Sequence, residues 1–451
     1  MNRRPWGVVG CVLGAAAVVI AIAGPLNPPG GAVSSTYKTL TEVEPRIAIN
    51  STNTPGDADS VYRIVSAGSY YLTGNVTGQS GKSGIEIAAD NVTLDLNGYT
   101  LIGVAGSVSG VSVSGVHTGG TIRDGIARSW GNAGILLYDG SNALNQFIVE
   151  GVHATSNGRE GFHVNQNGRV INCTAYGNSR EGFIARDGVI LTGCNALSNT
   201  LTGFLGKTAC SFDSCIARGN GAGGFGLVSG ATGSHRFNAC TAQGNTGDGF
   251  NTHDGATLIG CSANLNTGSG IVVGLHAVVR DSTANNNSQY GINATPGYSL
   301  LQHCAADNNL LSGIRAATHC EVVACMAHQN SQSGVHITTA GVVRDSFFDL
   351  NAVAGILMDS GGAVDMLHNQ CSQNGGSTGA GIRITTNGSC RVEGNVLALN
   401  YRALDISSSG NAVARNYFRQ NTTTNTIAGG NDVGPIGSAA TATSPWANIQ
   451  Y

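Results

Sequence analysis

The chain is short of charged residues and of aromatic rings. Asp, Glu, Lys and Arg make up only 11% of its 451 residues, and no run of like charge occurs. Nucleic-acid binding needs clustered Lys and Arg, so we do not expect that class of function. Only three tryptophans are present, Trp6, Trp130 and Trp446. This scarcity gives little support to a surface on which sugars stack against exposed rings.

The chain also lacks the signatures of helical and leucine-rich repeats. Helix-based repeats need about 33 residues or more, and the spaced leucines of a leucine-rich repeat are absent. What recurs is an asparagine about every 21 residues, followed four residues later by a glycine and then Phe, Ile or Val. The asparagines are Asn157, Asn178, Asn199, Asn220, Asn245, Asn266, Asn287, Asn309, Asn330 and Asn351. This period predicts coils of short strands and turns.

Equivalent residues of successive coils are expected to stack in files. Strands of a sheet lie about 4.8 Å apart, so each coil places its side chains on their counterparts in the coil below. The asparagines are expected to occupy a turn with positive φ and to bond along the stack as an amide ladder. The glycine that follows is expected to allow a tight corner.

This pattern resembles the right-handed parallel β-helix of the pectate-lyase-like superfamily. The resemblance covers about residues 84–421 and includes the opening string ADNVTLDLNGYTL at residues 89–101. It implies an all-β fold, a single-stranded right-handed parallel β-helix (solenoid) with about 14 coils of ~21 residues. It also implies that any substrate groove runs along one outer face.

The predicted organisation is that of an exported, single-domain rod. Residues 1–23 have the basic start, apolar stretch and Ala-Ile-Ala site of a signal peptide, with an uncleaved membrane anchor as the alternative. We expect a linker at 24–60, the β-helix with its N-terminal cap at 61–421, and a flexible tail with a C-terminal cap at 422–451. Trp446 and Tyr451 are expected to plug the last coil. The mature protein is predicted to be monomeric, free of membrane, and secreted or located at the cell surface or in the periplasm.

The cysteines predict a buried ladder of thiols. Seven of the twelve share one position of the repeat: Cys173, Cys194, Cys215, Cys240, Cys261, Cys304 and Cys325. Side chains in register point the same way, which suits a disulfide dihedral poorly. Three bridges stay open as alternatives, namely Cys210 with Cys215, Cys320 with Cys325, and Cys371 with Cys390. A linear file does not offer tetrahedral metal geometry, so no metal site is expected.

Candidate site residues come from the outward positions of the strand that begins after each repeat glycine. A histidine beside carboxylates is a candidate acid or base, and Arg can bind a uronate carboxylate with two donors. The candidate catalytic residues are His253, Asp254, Asp248, Arg315 and His336. The candidate substrate-binding residues are Asn251, Asn293, Arg186 and Lys207. The alternative is that both aspartates serve turns and that these side chains are ordinary surface residues.

The function predicted from the sequence is therefore limited to a class of partner. The catalytic strings that pectin hydrolases, pectate lyases and alginate epimerases carry are missing, and no acidic cluster supports a Ca²⁺ site. No cofactor is expected. We predict an exported protein that interacts with polysaccharide along an outer groove, with lyase, hydrolase or epimerase activity left open. The alternative is a non-catalytic structural or adhesive protein that binds a cell-surface component.

Overall fold

In a computed structural model, the chain consists of short strands stacked in parallel. The structure describes residues 44–138, 140, 146–228, 231, 233–386 and 388–451. Residues 46–451 form one compact unit, and the regular secondary structure of the described residues is β-strand. No helix in these ranges is long and apolar enough to cross a membrane. The predicted signal peptide, and the predicted linker as far as residue 43, lie outside the described residues.

The strands form three parallel columns, and each strand pairs with its counterparts one coil before and one coil after. We name them the front, second and third columns. The front column consists of Ser60–Ile64, Ser83–Ile87, Val111–Val113, Ile135–Leu137, Phe162–Val164, Phe183–Ala185, Phe204–Gly206, Phe225–Leu227, Phe250–Asn251, Ile271–Val272, Ile292–Ala294, Ile314–Ala316, Ser333–Ile337, Ala354–Met358, Ala380–Ile384, Arg402–Ile406 and Thr426–Ile427.

The second column follows the front column in each coil. It consists of Ile47–Ala48, Gly68–Tyr71, Val92–Asp95, Thr121–Arg128, Ile148–Thr155, Arg169–Ile171, Ile190–Thr192, Ser211–Asp213, Arg236–Asn238, Thr257–Ile259, Val278–Arg280, Leu300–Gln302, Glu321–Val323, Val342–Arg344, Asp365–Leu367, Arg391–Glu393, Ala412–Ala414 and Asp432–Val433. Thr121–Arg128 and Ile148–Thr155 are long enough to continue into the third column.

The third column closes each coil. Its remaining strands are Val76–Thr77, Thr100–Ile102, Thr174–Tyr176, Asn195–Leu197, Ile216–Arg218, Thr241–Gln243, Ser262–Asn264, Thr283–Asn285, Ala305–Asp307, Met326–His328, Phe347–Asp349, Gln370–Ser372, Val396–Ala398, Tyr417–Arg419, Ile436–Gly437 and Asn448–Gln450. The three columns together enclose one continuous apolar core.

This architecture is the right-handed parallel β-helix that the sequence predicted. Phe162 pairs with Phe183, its counterpart 21 residues later. The second column contains 18 strands, which corresponds to about 18 turns instead of the predicted 14. The prediction was low because the first and last coils lack the Asn and Gly motif from which coils were counted. At the sheet spacing, 18 turns span about 80 Å.

The stack extends beyond both predicted boundaries of the β-helix. Ile47–Ala48 lies within the predicted linker, yet it pairs with Tyr70 and Tyr71 of the next coil. At the other end, Asp432–Val433 and Asn448–Gln450 lie within the predicted tail and pair with the preceding coils. The exposed strand edges at the ends of a solenoid favour such pairing.

The core of the front column is a stack of phenylalanine rings. Phe162, Phe183, Phe204, Phe225 and Phe250 are buried, and the centroids of successive rings lie 4.6 to 4.8 Å apart. This distance equals the spacing of the strands that carry the rings. The backbone repeat therefore sets the packing of the core.

The amide ladder is present as predicted. Asn178 Nδ2 donates to Asn199 Oδ1 at 2.9 Å, and the same oxygen accepts the backbone N–H of Asn178 at 3.1 Å. Asn178 Nδ2 also donates to the carbonyl of Ala154, at 3.1 Å. Each asparagine thus provides hydrogen-bond partners for buried polar groups of the neighbouring coils. Leaving one such group unpaired would cost about 1–3 kcal/mol.

The prediction that these asparagines have positive φ was wrong. The positive φ falls on the residue before each of them, for example 53° at Ser156 and 51° at Ser198. This left-handed residue turns the chain so that the asparagine after it points into the stack. The role of the repeat glycine also differs from the predicted tight corner, because the position has no room for a side chain. A Cβ on Gly161 would lie 2.8 Å from the Cβ of Ala175 and 2.9 Å from Nδ2 of Asn178.

The cysteine file is a second interior ladder. All eleven cysteines of the described residues are free and buried, so none of the three alternative bridges is formed. Cys194 Sγ donates to the carbonyls of Val170 and Thr192 at 3.4 and 3.5 Å. After Ser346 the same position is occupied by Asn369, Asn395, Asn416 and Asn448, which bond in series. The thiol, hydroxyl and amide side chains found at this position all donate to a backbone carbonyl.

The C-terminal segment folds back onto the last coils, but its aromatic rings do not plug them. Trp446 is 53% exposed and Tyr451 is 67% exposed. Asn448 is buried instead, and its Oδ1 accepts from Asn416 Nδ2 at 3.0 Å. The cap is thus a further rung of the second ladder, and it supplies a hydrogen-bond partner to the last coil at that position.

Candidate functional site

The front face, meaning the solvent side of the front column, is a file of outward residues. In Phe162–Val164 and similar strands the first and third side chains are buried and the middle one faces outward. The strand pairing aligns Leu136, His163, Ile184, Leu205, Gly226, Asn251, Val272, Asn293, Arg315, His336, Leu357 and Arg383. Seven strand steps separate His163 from Arg315, or about 34 Å at the sheet spacing.

Arg315 is fixed at the centre of one polar cluster on this face. Its Nη1 donates to the hydroxyl of Tyr290 at 2.8 Å, and its Cζ lies 5.1 Å from the centroid of that ring. In the described part of the chain no carboxylate pairs with Arg315. Asn293 lies directly beside Arg315 in the sheet, and its Oδ1 is buried without a hydrogen-bond partner. The cluster therefore has an uncompensated cation next to a free acceptor.

His336 continues this cluster by one coil. It is paired in register with Arg315, and its Nε2 lies 2.7 Å from Oδ1 of Asp359. The imidazole is 15% exposed and the carboxylate 43% exposed. A histidine oriented by a carboxylate is the arrangement used for proton transfer. The sequence analysis selected Arg315, His336 and Asn293, and the structure places them together; it did not select Tyr290 or Asp359.

The predicted segment around His253 is held differently. Asp248 accepts the backbone N–H of Ser269 at 2.8 Å and Nδ2 of Asn251 at 3.0 Å. Asp254 accepts the backbone N–H of Leu275 at 2.8 Å. Both carboxylates therefore bind backbone of the next coil, which is the structural alternative considered for them. His253 is exposed at the turn after its strand.

Arg186 and Lys207 lie on neighbouring coils near the other end of the front face. Lys207 Nζ lies 3.1 Å from Oδ2 of Asp187, which also accepts from Gln166 at 3.1 Å. Burial acts to raise the pKa of Asp187, but hydrogen bonds from Thr208 and Lys207 outweigh it and leave that pKa below its usual value. Lys207 is thus neutralised by a carboxylate, unlike Arg315.

A second polar cluster forms around His163. The imidazole stacks on Tyr138 with a centroid distance of 4.7 Å, and the guanidinium of Arg186 lies 4.3 Å from the centroid of the same ring. Burial, reinforced by the positive charge of Arg186 and of two further arginines, lowers the pKa of His163 to about 4. The ring is therefore neutral near pH 7, and its Nε2 has no hydrogen-bond partner among the described residues.

The sequence analysis did not identify this cluster. Tyr138 belongs to a coil before the first repeat asparagine, so no motif marked it. The signal available was positional: Tyr138 stands two residues after outward Leu136, as Arg186 stands two residues after outward Ile184.

Two buried carboxylates beside this cluster were also missed. Glu160 and Glu181 are 1% and 7% exposed and occupy equivalent positions of successive coils, in the repeated string REGF. Arg180 lies between them, 3.7 Å from Glu160 and 3.4 Å from Glu181. Arg159 also pairs with Glu160, at 3.2 Å. Both carboxylates are thus neutralised by arginines.

The described residues contain no group of three or more His, Cys, Asp or Glu side chains placed to hold a metal ion. The front face offers hydrogen-bond donors and acceptors, planar cations and aromatic rings, in two clusters separated by the stretch from Leu205 to Val272.

The comparisons with known proteins concern the fold. A family model described as "right handed beta helix region" matches residues 109–267. No curated protein matches the chain.

Several solved structures resemble it. A pectate lyase is 20% identical over 49% of this chain and 67% of that chain, with a TM-score of 0.35. A periplasmic alginate epimerase double mutant is 12% identical over 78% and 82%, with a TM-score of 0.32. The A-module of a mannuronan C-5 epimerase of Azotobacter vinelandii is 12% identical over 81% and 91%, with a TM-score of 0.29. Similarity at this level carries no argument about activity.

Proposed function

We propose that this is an exported protein that binds an extended, anionic polysaccharide along its front face, between His163 and His336. The ligand class follows from the chemistry of the two polar clusters and from their separation. Export rests on the signal peptide predicted at residues 1–23. An exported protein would meet such polymers at or outside the cell surface.

The observation that carries the proposal is that the guanidinium of Arg315 is held in place but not neutralised. Its guanidinium is partly buried and held against Tyr290, so little conformational freedom is lost when it binds a ligand. No carboxylate of the described chain neutralises it, whereas Lys207 is paired with Asp187. A sugar carboxylate can accept two hydrogen bonds from a guanidinium, and Asn293 beside it can accept from a sugar hydroxyl.

The length of the ligand follows from the geometry of the face. Small-molecule sites are concave and bury most of their ligand. The front face is instead an open file of partly exposed side chains. A ligand that contacts both His163 and Arg315 must span about 34 Å at the strand spacing. A polymer lying along the helix axis meets this requirement.

Binding without turnover is the form of this function that the site favours. Asp248 and Asp254 accept backbone N–H groups of the next coil, and Glu160 and Glu181 are paired with arginines. Among the described residues of the face, His336 and Asp359 form the one pair suited to proton transfer. Binding without turnover is also compatible with the second candidate function, a non-catalytic adhesive role. Turnover is an outcome that the experiment below distinguishes.

The test is a binding panel of polyuronates and neutral polysaccharides, measured by affinity electrophoresis together with product analysis. We expect binding of a polyuronate and a loss of about tenfold in affinity, or about 1.4 kcal/mol, for Arg315→Ala. The matched control is Arg236→Ala, because Arg236 is an exposed arginine of the second column and lies off the front face.

Two outcomes would contradict the proposal. One is equal loss of binding in Arg315→Ala and Arg236→Ala, which would indicate a general charge effect. The other is absence of binding to every polyuronate in the panel. Released oligosaccharides that disappear in His336→Ala would add a catalytic role to the binding face.

A further inference from the structure

A cleft of about 560 Å³ lies at the C-terminal end, away from the front face. It is lined by residues of the second column together with the chain that folds back at Pro435, Ser444 and Trp446. Its volume is in the range of small-ligand sites, about 300–1,000 Å³. The indole of Trp446 borders the cleft and is 53% exposed.

The indole is held in place by contacts with Arg415, which is itself held by an ion pair. The guanidinium of Arg415 lies 4.2 Å from the indole, and Arg415 Nε donates to the carbonyl of Pro445 at 3.1 Å. Arg415 Nη1 donates to Glu393 at 2.9 Å, and Arg391 Nε donates to the other oxygen of that carboxylate at 2.6 Å. Glu393 is itself buried. The exposed ring is therefore a preorganised platform.

The remaining lining is apolar below and acidic at the rim. Ala412, Val413 and Val433 line the cleft, and Asp432 is exposed beside them with no ion pair to any described residue. Arg391 and Arg415 share the carboxylate of Glu393, and the charge of Asp432 balances the second guanidinium, so these four groups have no net charge. The cleft therefore offers no net attraction to a uronate. It favours a ligand with C–H faces for the indole and hydroxyl groups for the carboxylate.

We propose that this cleft is a second binding site, and that it takes a neutral saccharide stacked on Trp446 with a hydroxyl donated to Asp432. An aromatic platform beside hydrogen-bonding groups suits a molecule that is apolar on one side and polar at its edge. The site lies on another column and prefers another charge class, so it does not depend on the front-face proposal.

Tryptophan fluorescence of the full chain tests the proposal. Trp130 is 1% exposed and is shielded from added ligand, and the Trp446→Phe variant separates the emission of Trp446 from that of Trp6 and Trp130. We expect a saturable change on adding neutral oligosaccharides, no such change in Trp446→Phe, and at least tenfold weaker binding in Asp432→Ala. Uronate oligosaccharides serve as the charge control, and Arg315→Ala is expected to keep the neutral-sugar response.

A second variant guards against a folding artefact in Trp446→Phe. Ala412→Phe places a ring in the cleft and leaves Trp446 unsubstituted, and we expect it to block the response while the thermal midpoint is kept. The proposal is overturned if no neutral oligosaccharide changes the emission, or if the change persists in Trp446→Phe. It is also overturned if Ala412→Phe responds like the unsubstituted protein.

Discussion

The two sides of the front column differ in how strictly the sequence repeats. The first inward position of each strand from Phe162 to Phe250 is phenylalanine, and each ring contacts its copy in the next coil. The outward neighbours in the same strands include His163, Leu205 and Gly226. Interior residues repeat because each coil packs against a copy of itself. Outward residues are free of that constraint, so their departures from repetition are where function is to be sought.

The largest expected effect tests the interior half of this comparison. Phe204→Ala removes a ring that contacts neighbours on both sides, and we expect a loss of about 3–5 kcal/mol in the free energy of unfolding. Leu205→Ala, the outward neighbour, is expected to cost less than about 1 kcal/mol. Guanidinium denaturation followed by circular dichroism measures both. Similar losses in the two variants would refute the comparison.

Asparagine allows the same test with one residue type. Asn199→Ala leaves the backbone N–H and Nδ2 of Asn178 without their shared acceptor, which predicts a loss of about 2–4 kcal/mol. Asn251→Ala, on the front face, is expected to stay within about 0.5 kcal/mol. If the outward substitution proves the more costly one, the amide ladder is not what stabilises the turn.

His163 sharpens the comparison, because it is an outward residue that is nevertheless buried. Its pKa of about 4 lies below the usual value near 6.5, so the unfolded chain takes up a proton more readily than the folded one. Stability is therefore full above about pH 6.5 and falls as the pH drops towards 4.

We expect His163→Gln to lose less unfolding free energy than the unsubstituted protein between pH 7 and pH 5. The pKa of buried His235 is also lowered to about 4, by burial and by the nearby His253. Some pH dependence should therefore persist in the variant. Identical pH profiles for the two proteins would show that His163 titrates normally.

The smallest expected effect concerns His253. It is exposed, and the carboxylates on either side of it bind backbone N–H groups. We expect His253→Ala to leave both the unfolding midpoint and polysaccharide binding unchanged, in contrast to Arg315→Ala. A selective loss of turnover in His253→Ala would instead restore the catalytic interpretation of this segment.

The fold was predictable because each coil of a solenoid uses about the same number of residues, so the sequence repeats with that period. Asn178 and Asn199 are axial neighbours for that reason, and so are Arg315 and His336. The end coils were missed because they lack the motif, and the φ prediction failed because the left-handed residue precedes the asparagine. A period gives the stacking of residues but not the backbone angle at each.

The geometry of the candidate site was predictable only where side chains stack along a file. The alignment of Asn293, Arg315 and His336 follows from the repeat alone. The contact between Asp254 and the N–H of Leu275 does not, because it depends on the course of a turn. The stacking of Tyr138 on His163 depends on a coil without the motif, and the exposure of Trp446 depends on how the C-terminal chain folds back.

The most direct test of the central claim is the affinity of uronate oligosaccharides of increasing length, measured by calorimetry. If the front face binds one chain through both clusters, the affinity should keep rising until the oligosaccharide spans about 34 Å, the separation at the strand spacing. In Arg315→Ala the rise should stop at shorter chains. An affinity that is already maximal for a disaccharide would contradict the account.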